Sequence, residues 1–230
     1  MTDPANFVET PGVNEAPNFP LRVVDGLTLP PEYRKALRPG EEWKDASGFP
    51  RQLPRYFYEI PSWDSAMKIE LASHFLLWEF IQVDVREAPP LRTFPRYVPC
   101  AITLLAVCLE RFRDAVGTLV HISANGGYRS PSHRFSKNAT PHAWGTAANI
   151  YRIGDTYLDN RGAIERFSLI ARQTLPGIWT RPYGAPTGFA EDHLHLDLGY
   201  VLSVPRDVKV DVLVEADTHR NRSTLGKRRE

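Results

Sequence analysis

Cysteine is nearly absent from this 230-residue chain, where Cys100 and Cys108 are the only two. Eight residues apart in a helical pattern, their Cα atoms lie about 12 Å apart, beyond the reach of a disulfide. Two thiols are also too few for a thiolate zinc site, so both read as small core residues. Long apolar runs are missing as well, since no stretch approaches the roughly 18 apolar residues of a membrane-spanning helix. Net charge is nearly absent: 28 basic against 27 acidic residues leave +1, no field to steer nucleic acid or an anionic membrane. The opening MTDPANFVETPGVNEAPNFP has acids and prolines where a signal peptide would carry basic residues and an apolar run. The expectation is a cytoplasmic protein, or one released without an amino-terminal signal. Function therefore has to be argued from a site.

Proline is plentiful, and nine of the 20 fall before residue 55. That density predicts an irregular arm over residues 1–60, lying across the domain surface, with its first 15 or so residues disordered. From Ser62 the pattern changes. SWDSAMKIELASHFLLWEFIQ starts with a capping serine and runs without Gly or Pro, which predicts a helix over 63–80. PRYVPCAITLLAVCLERFRDAVG predicts a second helix over 96–116, with Ala101, Leu105, Cys108, Phe112 and Val116 on one face and Gly117 as the stop. TLVHISAN reads as a short strand. IERFSLIARQTLPG is helical, with Ile164, Phe167, Ala171 and Leu175 in phase, and strands follow from Ile178. Alternating Val208, Val210, Val212 and Val214 predict a further strand, and the basic tail 217–230 reads as a solvated, mobile end. His74 and His121 read as structural. The expected class is α+β, a mainly antiparallel sheet with helices on one face, in a domain spanning 61–216.

Chemistry concentrates in three segments. In EDHLHLDLG a strand sends Leu194, Leu196 and Leu198 to one face and His193, His195 and Asp197 to the other. Imidazoles about 7 Å apart along a strand face can converge on one ion. In HAWGTAAN a Gly145 turn lets the chain fold back, so that His142 and Asn149 approach one point. In GGYRSPSH, Arg129 heads a turn from which a guanidinium fork could grip a carboxylate through two parallel hydrogen bonds.

GGYRSPSH, HAWGTAAN and DHLHLDLG resemble, in order and spacing, the zinc D-alanyl-D-alanine carboxypeptidase family of bacteria and phages, whose fold the hedgehog signalling domain shares. The resemblance covers about residues 117–200. It implies zinc on His142, position 149 and His195, with Asp192 as general base and His193 near the reacting carbonyl. It further implies Arg129 on the substrate's terminal carboxylate, with Ser130 and His133 lining the same turn. The implied reaction is metal-assisted hydrolysis of a cell-wall-type peptide, with peptide or peptidoglycan as substrate and neither nucleic acid nor membrane as partner.

This chain departs from the family at Asn149, where the pattern has an aspartate. An amide oxygen can meet zinc but brings no negative charge. Three outcomes follow: a weakened His142/Asn149/His195 site, an all-histidine site completed by His193, or a cleft that binds a peptide, glycan or protein without cutting it.

Overall fold

The computed structural model describes residues 20–184 and 191–206. The expected valine strand at 208–214, the basic tail and the first 15 residues all lie outside the described residues. The chain runs through β1 (Arg22–Asp25), α1 (Pro31–Leu37), a hairpin of β2 (Glu42–Lys44) and β3 (Pro50–Gln52), and β4 (Tyr56–Glu59). The single turn α2 (Trp63–Ala66) precedes a hairpin of β5 (Glu70–Ala72) and β6 (Phe75–Leu76), then the single turns α3 (Leu77–Phe80) and α4 (Pro89–Arg92). β7 (Tyr97–Pro99) leads into α5 (Ile102–Val116). After it come β8 (Val120–Ile122), β9 (Ala147–Ile153), β10 (Thr156–Tyr157), α6 (Arg161–Thr174), β11 (Trp179–Thr180) and β12 (Leu194–Asp197).

Every pairing between these strands is antiparallel. With the helices, this makes the protein α+β. A five-stranded sheet has the order β10–β9–β12–β11, with β8 also paired to β9, and a three-stranded sheet has the order β1–β4–β7. The leucine alternation read from the sequence decides which way β12 faces. Leu194 and Leu196 are fully buried, in one core with Ile150 of β9, Leu105 and Phe112 of α5, and Ile164 and Phe167 of α6. The opposite face of the same strands is left for Asn149, His195 and Asp197.

α6 forms where its periodicity indicates, with Asn160 as N-cap accepting from the Ala163 N–H at 3.0 Å. The helix expected over 63–80 does not form. Ser62 does cap a helix, through its hydroxyl and the Ser65 N–H, but the helix lasts one turn. Beyond it Leu71 and Phe75 are buried from a hairpin. His74 at the hairpin tip gives its backbone N–H to Glu110 of α5 at 2.8 Å, and its ring lies on the same carboxylate. Those tertiary partners, absent from any local window, override helix propensity. The helix expected over 96–116 begins only at Ile102, because Tyr97–Pro99 pair with β4 at the outer edge of the small sheet, where a proline is tolerated. Its buried stripe is Ile102, Leu105, Ala106, Leu109 and Phe112. The stripe is turned from the expected face, so that Cys108 and Val116 are only half-buried.

Residues 20–60 are not an irregular arm. β4 lies between β1 and β7, so one sheet joins Arg22 to Pro99 across the expected boundary at residue 60. Leu21, Leu37 and Phe57 share the core of α5. The prolines fit because they fall where their ring suits the backbone, as with Pro31 at the first position of α1.

Candidate metal and carboxylate site

His142 sits in a short 3₁₀ turn, Pro141–Trp144, that ends on Gly145 with φ of 70°. That left-handed position suits glycine and reverses the chain into β9. Trp144 is fully buried beside Leu53, Ala139 and Ala143, and its indole N–H donates to the Gln52 carbonyl at 3.0 Å. The Ala139 N–H donates to the Lys44 carbonyl at 2.9 Å. The β2–β3 hairpin thus braces the turn from behind.

His142 is buried, and its Nδ1 lies 2.8 Å from the Gly127 carbonyl. A carbonyl only accepts, so Nδ1 carries the proton and Nε2 keeps its lone pair. Gly127 has no room for a side chain, because a Cβ there would collide with the Phe80 backbone. Burial above all, reinforced by the Arg129 charge, holds the His142 imidazole well below its ordinary pKa, so it is neutral.

β12 brings the second imidazole. His195 is directly opposite Asn149 in the β9–β12 register. Its Nε2 lies 3.0 Å from Asp197 Oδ2, and its Nδ1 lies 2.8 Å from Asn149 Oδ1. Burial lowers this pKa too, with Asp197 opposing. A neutral ring has one proton, and the carboxylate claims it, which leaves Nδ1 bare toward Asn149. A bare nitrogen and an amide oxygen at that distance repel. A proton, a cation between them, or the amide turned to present its NH₂ removes the repulsion.

The ring centres of His142 and His195 are 5.1 Å apart, at an interplanar angle of 62°. Two imidazoles on one tetrahedral zinc, with Zn–N near 2.0–2.1 Å, hold their ring centres about 5 Å apart. Each ring also hands its rear N–H to a protein acceptor, the arrangement that orients metal-bound histidines. His142 Nε2, His195 Nδ1 and the Asn149 amide oxygen therefore fit a zinc ion, as a donor set without charge. No group of three or more His, Cys, Asp or Glu side chains among the described residues is placed to hold a metal.

The remaining candidates divide. His193 Nδ1 lies 2.6 Å from Asp192 Oδ1, while His193 Nε2 is buried without a partner. Asp192 itself is exposed at the mouth, so its direct partner is the His193 ring. Arg129 gives its backbone N–H to the His142 carbonyl at 3.3 Å, and its Nε is buried without a partner. Burial, then the Arg181 charge, lowers its pKa to about 10.

Ser130 and His133 do not line the cleft. The Ser130 hydroxyl and N–H both donate to buried Glu87, at 2.6 and 3.0 Å. His133 donates from Nε2 to Asn125 Oδ1 and accepts from the Phe135 N–H at Nδ1, each at 3.1 Å. With both ring nitrogens in use and the ring buried, it buttresses the turn beneath Arg129.

Three residues join the site beyond those that the family resemblance implies. Asp197 orients His195, and its other oxygen accepts the Gly199 N–H at 2.8 Å. Trp179 of β11 sets its ring edge-to-face on His195 at 5.5 Å and is half-exposed. Arg181, just past β11, donates its backbone N–H to the His195 carbonyl at 3.1 Å. Asp197 stood in the alternating trio HxHxD and was legible there. The other two arrive through pairing of a two-residue strand, which leaves no local signal. Two surface cavities of about 490 and 440 Å³ are both lined in part by His121 of β8, and none of the histidine pair, Asn149 or Arg129 lines either of them.

Comparison of the chain with family models, with characterised proteins and with solved structures finds no match. Among the described residues no helix is long and apolar enough to cross a membrane.

Proposed function

We propose that this protein is a zinc-dependent peptidase of the D-alanyl-D-alanine carboxypeptidase type, with the hedgehog-type fold of that family. One observation supports the reading above all: two distant imidazoles meet at 5.1 Å, each with its rear N–H committed to a protein acceptor. His142, His195 and Asn149 would hold the ion. A zinc ion with three protein ligands supplies a bound water of lowered pKa and polarises the carbonyl that it meets.

The chain's own residues handle the rest. Arg129, its Nε without a protein partner, takes the terminal carboxylate of a peptide and so selects a carboxy-terminal bond. His193 is held by Asp192 and turns a bare Nε2 inward. From there it accepts a proton from the attacking water and returns it to the departing amine. Trp179 covers one side of His195 and limits water around it.

A second reading keeps the cleft and drops the chemistry, and the neutral donor set favours it. Asn149 adds no charge to offset a dication, while Arg129 and Arg181 both act on the His142 ring. On that reading the protein binds a peptide, glycan or protein through the same pocket. Incubation with a D-Ala-D-Ala peptide, zinc-loaded and chelated, separates the two. Zinc-dependent release of D-alanine supports the peptidase, and binding without release under both conditions leaves the binding module.

A further inference from the structure

The β11–β12 register carries Arg181 to the position opposite His195, on the strand face that already brings Trp179 to the His195 ring. Arg129 hangs from the carbonyl of His142, and Arg181 hangs from the carbonyl of His195. Because the two rings meet, the backbones of both arginines adjoin one cluster. Among the described residues neither forms an ion pair with a carboxylate. The acids nearby are already committed: Asp197 to His195 and the Gly199 N–H, Asp192 to His193, and Glu87 to Ser130. Arg181 is only partly exposed, and its charge acts on Arg129, His142, His193 and His195 alike, which fits a guanidinium facing the pocket they share.

Glu87 acts on Arg129 and Asp197 on Arg181, but neither carboxylate forms an ion pair with its arginine among the described residues, and two partly buried cations so loosely offset are costly to hold together. Arginine at such a place matches a carboxylate, whose two oxygens accept its paired N–H donors. The buried, unpartnered Arg129 Nε and His193 Nε2 show that donors and lone pairs in this pocket await a ligand.

We propose that Arg181 is a second carboxylate-binding arm, so that the preferred ligand is a peptide whose last residue carries two carboxylates, one held by Arg129 and the other by Arg181. This rests on the peptide-binding reading above and narrows its substrate class to acidic carboxy-terminal residues.

The test uses the full chain and titration calorimetry in the presence of a chelator, so that no cleavage intervenes. The probes are N-acetyl-D-alanyl-D-alanine, with one carboxylate, and N-acetyl-D-alanyl-D-glutamate, with two. The wild-type protein should bind the second at least about tenfold more tightly, the scale of one charge-assisted pair. Arg181→Gln should cut that preference below about threefold, and Arg181→Lys should keep most of it. Equal affinities in the wild type, a preference that survives in Arg181→Gln, or no binding of either probe would overturn the proposal. Should Arg181→Gln fail to fold, the wild-type ratio and the lysine variant still decide. Hydrolysis with zinc is scored separately. No turnover alongside a tenfold preference sinks the peptidase alone, whereas turnover without a preference sinks the second arm alone.

Discussion

Asn149 and His195 face each other across the β9–β12 ladder, with the amide oxygen 2.8 Å from the imidazole Nδ1. Restoring a carboxylate there tests the metal reading most directly. Asn149→Asp places an anion against Nδ1 and should raise zinc affinity by about tenfold or more, with peptidase activity rising in parallel. Zinc titration against a chromogenic chelator reads the first, and release of D-alanine the second. Unchanged affinity would show that Asn149 is not a ligand.

Removing either imidazole should abolish stoichiometric zinc. His142→Ala and His195→Ala are expected to leave less than about a tenth of the wild-type metal after zinc loading and dialysis, measured by atomic emission. Full occupancy in either variant would mean that the ion sits elsewhere.

Asp197 acts behind His195, through Nε2. Asp197→Asn removes the charge that fixes the tautomer and should weaken zinc about 10–100-fold, the usual cost of losing such a partner. The Gly199 N–H can still find an oxygen on the amide, so the melting temperature should fall far less than the affinity.

Gly127 carries the carbonyl that orients His142, and a Cβ at this position would meet the Phe80 backbone. Gly127→Ala should cost about 2 kcal/mol or more, a fall in melting temperature of roughly 4–8 °C for a chain of this size. Zinc affinity should drop with it, because the ring loses its acceptor geometry.

The stability of the fold should depend on pH through His133. Burial, then the Arg129 charge, pushes its pKa from 6.5 down to about 4. Between those values the unfolded chain binds the extra proton. The contribution is therefore complete above pH 6.5 and is lost as the pH falls toward 4, by at most about 3 kcal/mol. Urea midpoints at pH 7 and pH 4.5 should differ in that direction, and His133→Gln should reduce the difference without abolishing it, because burial lowers His142 and His195 as well. Asp84, held down to about 2 chiefly by its Arg86 partner, loses its contribution only below that window.

Local pattern carried the elements whose partners matter least. The 3.6-residue spacing of Ile164, Phe167 and Ala171 and the twofold alternation of Leu194 and Leu196 are direct images of a single buried face, and both elements form. The segment 63–80 is not legible locally, because its hairpin tip is held by Glu110, thirty-six residues from His74. At the site, His142, Asn149 and His195 were legible as chemical types at a suggestive spacing. Ser130 and His133 looked equally chemical, yet the buried partners that consume them, Glu87 and Asn125, cannot be inferred from the turn itself. Trp179 and Arg181 owe their place to pairing with β12, a relation that composition and periodicity do not encode.

The β2–β3 hairpin, which hydrogen-bonds Trp144 and Ala139 from below, makes residues 42–52 part of the foundations of His142. A fragment trimmed to begin at residue 61, the cut that the proline distribution invites, would strip β1 and β4 from the small sheet, leaving β7 alone, and would leave an indole without its acceptor. Such a truncation would loosen the histidine pair without touching either ring.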